Sequence, residues 1–287
     1  MPKISTYTTV TPQGNDKIIV SQTSGTPTDV TKNVTVDGLK TFIKGIFPFL
    51  FNTTSLTGIQ STGNTASGTN SIAMGASTTA SNTNSTAMGD STEASGGSST
   101  AMGRRTIASG SDSTAMGEST TASGNNSIAM GNTTTASGSD STAMGTSGIA
   151  SGNSSTAMGA QTAASGRYST ATGLFTKAFG RSSTSRGQFN VLNTGDNATT
   201  YDATNTAFSI GNGTSEGSRS DAFSVLFNGT TTIAGSVTSE SLNVPALNTA
   251  PASATAAGTL GSIRFTADHI YVCVATNTWK RVAIGTF

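Results

Sequence analysis

The sequence predicts an all-β chain: a parallel β-roll of 14-residue coils, closed at its C-terminal end by a small antiparallel β tip. Three observations predict it. The motif Ser-x-Ala-Met-Gly recurs with its methionines at Met74, Met88, Met102, Met116, Met130, Met144 and Met158, each 14 residues after the last. A strict period of this kind marks a stack of like units. The unit is too short for a helix–turn–helix pair, and no 3.6-residue stripe of large apolar side chains runs through it. The segment from Ser262 alternates as strands, SIRF, HIYVCVA and WKRVAI, with Thr276-Asn277-Thr278 as the turn between the last two.

Each coil fits two short strands joined by two tight turns. The glycines Gly75, Gly89, Gly103, Gly117, Gly131, Gly145 and Gly159 are expected to mark one turn. Gly96 and its equivalents in the Ala-Ser-Gly copies are expected to mark the other, because positive φ angles suit Gly, or Asn as at Asn82. Stacked coils pair each strand with its equivalent, parallel and in register, at about 4.8 Å per coil. Roughly nine coils then give a roll on the order of 45 Å long. The end copies are degenerate, at Ala171-Thr172-Gly173, Ala178-Phe179-Gly180 and Ser185-Arg186-Gly187, with an incomplete first copy near Thr57. Atypical end units are expected where a stack must be capped.

The two strands differ in which faces vary. In the second strand Thr78 and Ala80 recur, whereas the position of Thr79 is taken by Glu93, Ile107, Thr121, Thr135, Ile149, Ala163 and Lys177. One buried side explains that pattern. In the first strand both faces are nearly constant: Ser71, Ala73 and Gly75 on one, Met74 with Ile72 or its Thr equivalents on the other. A strand buried on both sides has this pattern, yet a two-sheet roll has one interior. Small residues are expected to fill that interior and the methionines to face a three-fold interface in a parallel homotrimer, where their adaptable packing is useful. The alternative is that Met fills the core of a monomer.

Composition narrows the function. Only 10% of residues are charged, against roughly a quarter in ordinary domains, and net charge is +1. Neither nucleic acid nor an anionic membrane has an electrostatic claim on such a chain. One cysteine, Cys273, excludes an intrachain disulfide framework, and a single histidine excludes the usual zinc cages. The N-terminus MPKISTYTTV lacks the apolar region of a secretory signal. The most apolar stretch, residues 42–51, is about half a membrane span and holds Lys44 and Pro48. The expectation is a soluble protein made in a cytoplasm, with no membrane insertion and no cofactor.

Four regions follow: 1–56, non-repetitive, with strand-like runs at Lys17–Val20 and Asn33–Val36; 57–187, the roll; 188–247, a β-rich connector or knob punctuated by Phe189, Phe208, Phe223 and Phe227; and 248–287, an Ala/Thr/Gly/Pro linker and the tip. Phe42, Phe47, Phe49 and Phe51 are read as a plug under the first coil, with a virion docking patch as second choice.

Candidate chemistry is sparse. The acids are scattered, several at outward repeat positions such as Asp90, Glu93, Asp112, Glu118 and Asp140, so no carboxylate pair for catalysis is legible. His269 is read as a surface or packing residue rather than a metal ligand on a trimer axis. Arg104-Arg105 reads as solubilising charge in preference to a ring touching anionic glycans. Tyr271 and Trp279 are the possible receptor contacts, stacking on a sugar or a protein; a structural role is favoured for the single Trp. No enzymatic activity is expected.

The pattern S-x-A-x-G-x-x-T-x-A-x-G at period 14 resembles the YadA-type head repeat of trimeric autotransporter adhesins over residues 57–187. That resemblance implies a left-handed parallel β-roll and an obligate trimer. The C-terminal stretch GSIRFTADHIYVCVATNTWKRVAI and residues 220–229, both short and less specific than the repeat, resemble parts of bacteriophage tail-fibre-like proteins. The implied function is a homotrimeric fibre of a phage-like virion, assembled in the host cytoplasm. Residues 1–56 would bind a virion attachment protein, and the C-terminal tip would meet a host-surface glycan or protein. The alternatives are a bacterial trimeric adhesin head and a glycan-degrading tailspike.

Overall fold

The 14-residue period builds a two-sheet parallel stack. A computed structural model describes residues 17–20, 32–35, 50–51, 58–60, 63–241 and 243–286. Long strands run from Ser71–Ala76 through Thr86–Asp90 and its equivalents to Thr184–Gln188. Short strands run from Thr65–Ala66 to Lys177–Ala178 in a nine-stranded sheet. Register is strict. Met74 lies beside Met88, Met88 beside Met102, and so on to Met158, which lies beside Thr172. No helix occurs among the described residues.

Small side chains fill the space between the sheets. From the long strands Ser71, Ala73 and their equivalents point inward and are buried. From the short strands Thr78, Ala80 and theirs meet them, and one continuous alanine ladder from Ala66 to Ala178 forms the core. The methionines take no part in this interior.

The turn chemistry differs from the expectation in an instructive way. Gly75 and its equivalents through Gly159 do have positive φ, between +112° and +130°. Gly96 and its equivalents do not, and Asn82 does not either. Gly96 is small because of its neighbour: a Cβ there would stand 1.9 Å from the carbonyl oxygen of Gly110 one coil on. The left-handed turn positions are held by other residues. One per coil precedes the inward Ser (Asn84, Ser98, Asp112, Asn126), and one follows the positive-φ Gly by two (Ser91, Arg105, Ser119, Thr133), all near φ +55°. Each donates its N–H to the preceding coil, as Asn84 does to Thr69 and Ser91 to Ala76, both at 2.8 Å. That inter-coil bond offsets the strain of an L-residue in this region.

Both ends of the threonine column close with asparagine. Along the short-strand sheet, the N–H of the first residue of each strand bonds the carbonyl thirteen residues on, as Ala163 does to Thr176. At Lys177 that carbonyl is replaced by the side chain of Asn190, whose Oδ1 accepts from the Lys177 N–H at 2.7 Å and whose Nδ2 donates to the Lys177 carbonyl at 2.9 Å. At the other end the Asn64 side chain accepts from the Thr78 N–H and donates to the Gly75 carbonyl, each at 2.8 Å. Both asparagines are buried. At Lys177 the amide side chain thus stands in for the next rung and satisfies its backbone groups.

The long-strand sheet does not stop at Gly187. Thr206–Asn212 adds a parallel rung, with Gly187 opposite Gly211 and Arg186 opposite Ile210. Antiparallel strands Asp221–Leu226 and Thr231–Ile233 then end it. At its other end Leu50–Phe51 pairs antiparallel with Gly58–Gln60. Lys17–Val20 pairs antiparallel with Lys32–Thr35. The apolar patch at 42–51 and most of the 1–56 region otherwise lie outside the described residues.

The chain divides into Met1–Gly235 and Ser236–Phe287. The second unit holds a three-stranded antiparallel sheet of Ile263–Phe265, His269–Ala275 and Thr278–Ala283, the middle strand being central. Asn277, in the expected turn, has φ +56°.

Candidate functional surfaces

The first surface is the outer face of the long strands. Met74, Met88, Met102, Met116, Met130, Met144 and Met158 are half-buried there, each stacked between its neighbours in register. Beside them runs a second column of Ile72, Thr86, Thr100, Thr114, Ile128, Thr142 and Thr156, and most of it is likewise half-buried. Together they make a ribbon of thioether, methyl and sec-butyl groups along the roll. The opposite sheet shows the contrast: its outer positions hold Glu93, Ile107, Ile149 and Lys177 with no common character.

Some charged residues on the roll engage neighbouring coils, as Asp140 does by accepting from Asn126 at 3.0 Å. Arg104 pairs with Glu118 of the next coil, and that hydrogen bond raises its pKa. Arg105, its partner in the basic doublet, occupies a left-handed turn position. Three aromatic residues, Tyr168, Phe175 and Phe189, stand out near the C-terminal end of the roll. Tyr168 adopts φ +61° with the guanidinium of Arg167 at 4.8 Å and that of Arg181 at 5.5 Å from its ring centre. Phe175 and Phe189, also left-handed, stack at 4.7 Å. Close by, burial pushes the Asp221 carboxyl up, against the opposing effect of the Val191 N–H that it accepts at 3.0 Å.

The second surface is the C-terminal sheet. Trp279 is 5% exposed. Its indole N–H donates to the Ala256 carbonyl at 3.0 Å, the Arg264 guanidinium lies 5.0 Å over its ring, and Gly258 sits against the ring where no Cβ would fit. Its role in the tip is structural. Tyr271 is half-buried and lies directly across from Arg264 on one neighbouring strand and Arg281 on the other. His269 is half-buried, 5.7 Å from the Tyr271 ring. Among the described residues no three His, Cys, Asp or Glu side chains cluster to hold a metal ion.

The stack, its small-residue core and the Ser-x-Ala-Met-Gly register agree with a known repeat. The family described as YadA head domain repeat (2 copies) matches residues 66–92, 94–119, 108–133, 122–147 and 150–176. The chain carries YadA head repeats. A stretch of 37 residues, 13% of this chain, is 54% identical to a protein of Klebsiella phage K5-2 named Depolymerase 1, capsule K30/K69-specific. It spans 5% of that relative's length.

Proposed function

We propose that this protein is the homotrimeric fibre of a phage-like virion, in which the YadA head repeats form a stiff spacer and the C-terminal region meets the host surface. One observation carries the reading: the half-exposed Met ribbon on the outer face of the long strands, constant in chemistry although no part of the roll's own interior needs it. Three rolls side by side cover such a ribbon, and repeats of this type typically form homotrimers. Thin coils with a core of Ala, Ser and Thr bury little apolar area of their own, which makes added burial between chains valuable. The phage relative supports a place on a virion. Three tips per fibre turn weak contacts into avidity. The protein binds and positions, and no reaction is assigned to it.

A second reading, a glycan-degrading tailspike, is favoured by the name of the phage relative. Release of reducing ends from capsular polysaccharide by the purified chain would establish it. For the fibre, light scattering is expected to give about three times 28.6 kDa, and a monomer overturns the interface. Imaging of the particle is expected to show the C-terminus outermost; finding it embedded reverses the polarity.

A further inference from the structure

We propose that the C-terminal unit holds a groove for an acidic saccharide, centred on Tyr271 and Arg281. This inference rests on the reading of that region as the part that meets the host surface, and it names the ligand class.

A cavity of about 410 Å³ opens beside the edge strand of the tip, within the range of about 300–1,000 Å³ usual for small-ligand sites. Residues 251–254 form one wall; Tyr271, Trp279, Lys280 and Arg281 form the other. The groove is rigid where it must be. The Trp279 backbone N–H donates to the Ala254 carbonyl at 2.8 Å, which ties the first wall to the edge strand. The indole is locked by its bond to Ala256 and by Arg264 above it. Such preorganisation lowers the entropic cost of binding.

The chemistry of the lining selects the ligand. No Asp or Glu lines the groove. Lys280 and Arg281 are exposed, and among the described residues neither forms an ion pair. A planar guanidinium recognises a carboxylate through paired N–H donors. Tyr271 offers an apolar ring face to the C–H face of a sugar and a hydroxyl to its oxygens. A uronic or similar acid sugar uses the ring and the guanidinium at once, while a neutral sugar leaves Arg281 without a partner.

The two faces of the tip sheet differ, which decides the side on which the ligand sits. Tyr271, Trp279 and Arg281 share one face. The other carries Ile263, Val272, Val282 and Lys280, with Ile263 54% and Val282 59% exposed. That mainly apolar face suits contact with other copies of the chain and leaves the face of Tyr271 and Arg281 for the saccharide.

The test is calorimetric titration of the full chain with tetragalacturonate and, in parallel, maltotetraose. The acidic probe is expected to bind at least about ten-fold more tightly, as loss of a charged hydrogen bond implies. Arg281→Gln is expected to weaken it by about ten-fold or more, with melting temperature and mass unchanged. Absence of binding, equal binding of the neutral probe, or acidic binding indifferent to Arg281→Gln overturns the groove. Mass by light scattering on the same samples separates the two ideas. A trimer that binds no saccharide refutes the groove alone, and a monomer refutes the fibre whatever it binds.

Discussion

Replacing Gly117 by Ala tests whether the glycine rung sets the spacing of the coils. Gly117 has φ +121°, and a Cβ built there falls 2.0 Å from the Gly131 carbonyl oxygen of the next coil. Relieving that overlap requires the coils to part by about 1 Å, since closer approach is repulsive. The bonds flanking the site, Thr114 N–H to Ser127 and Thr133 N–H to Glu118, are both 2.8 Å. Stretched by about 1 Å they cease to be hydrogen bonds. Two lost bonds at about 1 kcal/mol each, with about 1–2 kcal/mol for an L-residue at positive φ, give about 3–4 kcal/mol per chain. The expected result is a drop of roughly 10 °C in the melting temperature followed by circular dichroism. Gly97→Ala is the matched control. Gly97 lies in the same roll at ordinary φ, with nothing within 4 Å of a Cβ, so it is expected to melt within about 1 °C of wild type. If Gly117→Ala melts like Gly97→Ala, the close approach of the glycine rungs does not hold the coils at their spacing and the argument fails.

Two further substitutions probe the threonine column. Asn190→Ala removes both bonds to the Lys177 backbone and is expected to cost about 2–4 kcal/mol; hydrogen exchange should show residues 170–188 opening while the middle coils stay protected, and uniform loss of protection would refute a local cap. Gly148 occupies the column between Thr134 and Thr162, buried, at ordinary φ, with a Cβ reaching 3.3 Å from the Thr162 hydroxyl. Gly148→Thr is expected to stabilise by about 1 kcal/mol, through an added buried methyl and lower unfolded-chain entropy, and a lower melting temperature would show that the column has no room there.

The stack was legible because its constraint is one-dimensional. A residue that must match itself one coil away appears in the sequence as a period, and Met74 through Met158 show it directly. The inward set was legible for the same reason, since Ser71, Ala73, Thr78 and Ala80 repeat with it. The ends were not. Asn64 and Asn190 fall on the threonine column, yet an asparagine in a chain rich in Asn gives no signal until its bonds to the backbone are seen. Turn residues were misassigned because two constraints select the same amino acid: Gly75 serves both φ and close approach, whereas Gly96 serves close approach alone. Only the distance to the neighbouring coil separates them.

The tip shows where sequence reasoning ends for function. Strand alternation places Tyr271, Trp279 and Arg281 on one face, and that much follows from the order of residues. Which of these side chains is free depends on the path of 251–258, a stretch of small residues whose composition says only that it is irregular. Its course brings Gly258 against the indole and Ala256 to the indole N–H, which locks Trp279 in place and leaves it 5% exposed. The same course leaves Tyr271 and Arg281 at the mouth of a groove. The most conspicuous aromatic in the sequence is therefore a scaffold, the role its sequence already favoured, and the proposed ligand contacts are Tyr271, its fellow candidate, and Arg281, which the sequence did not single out.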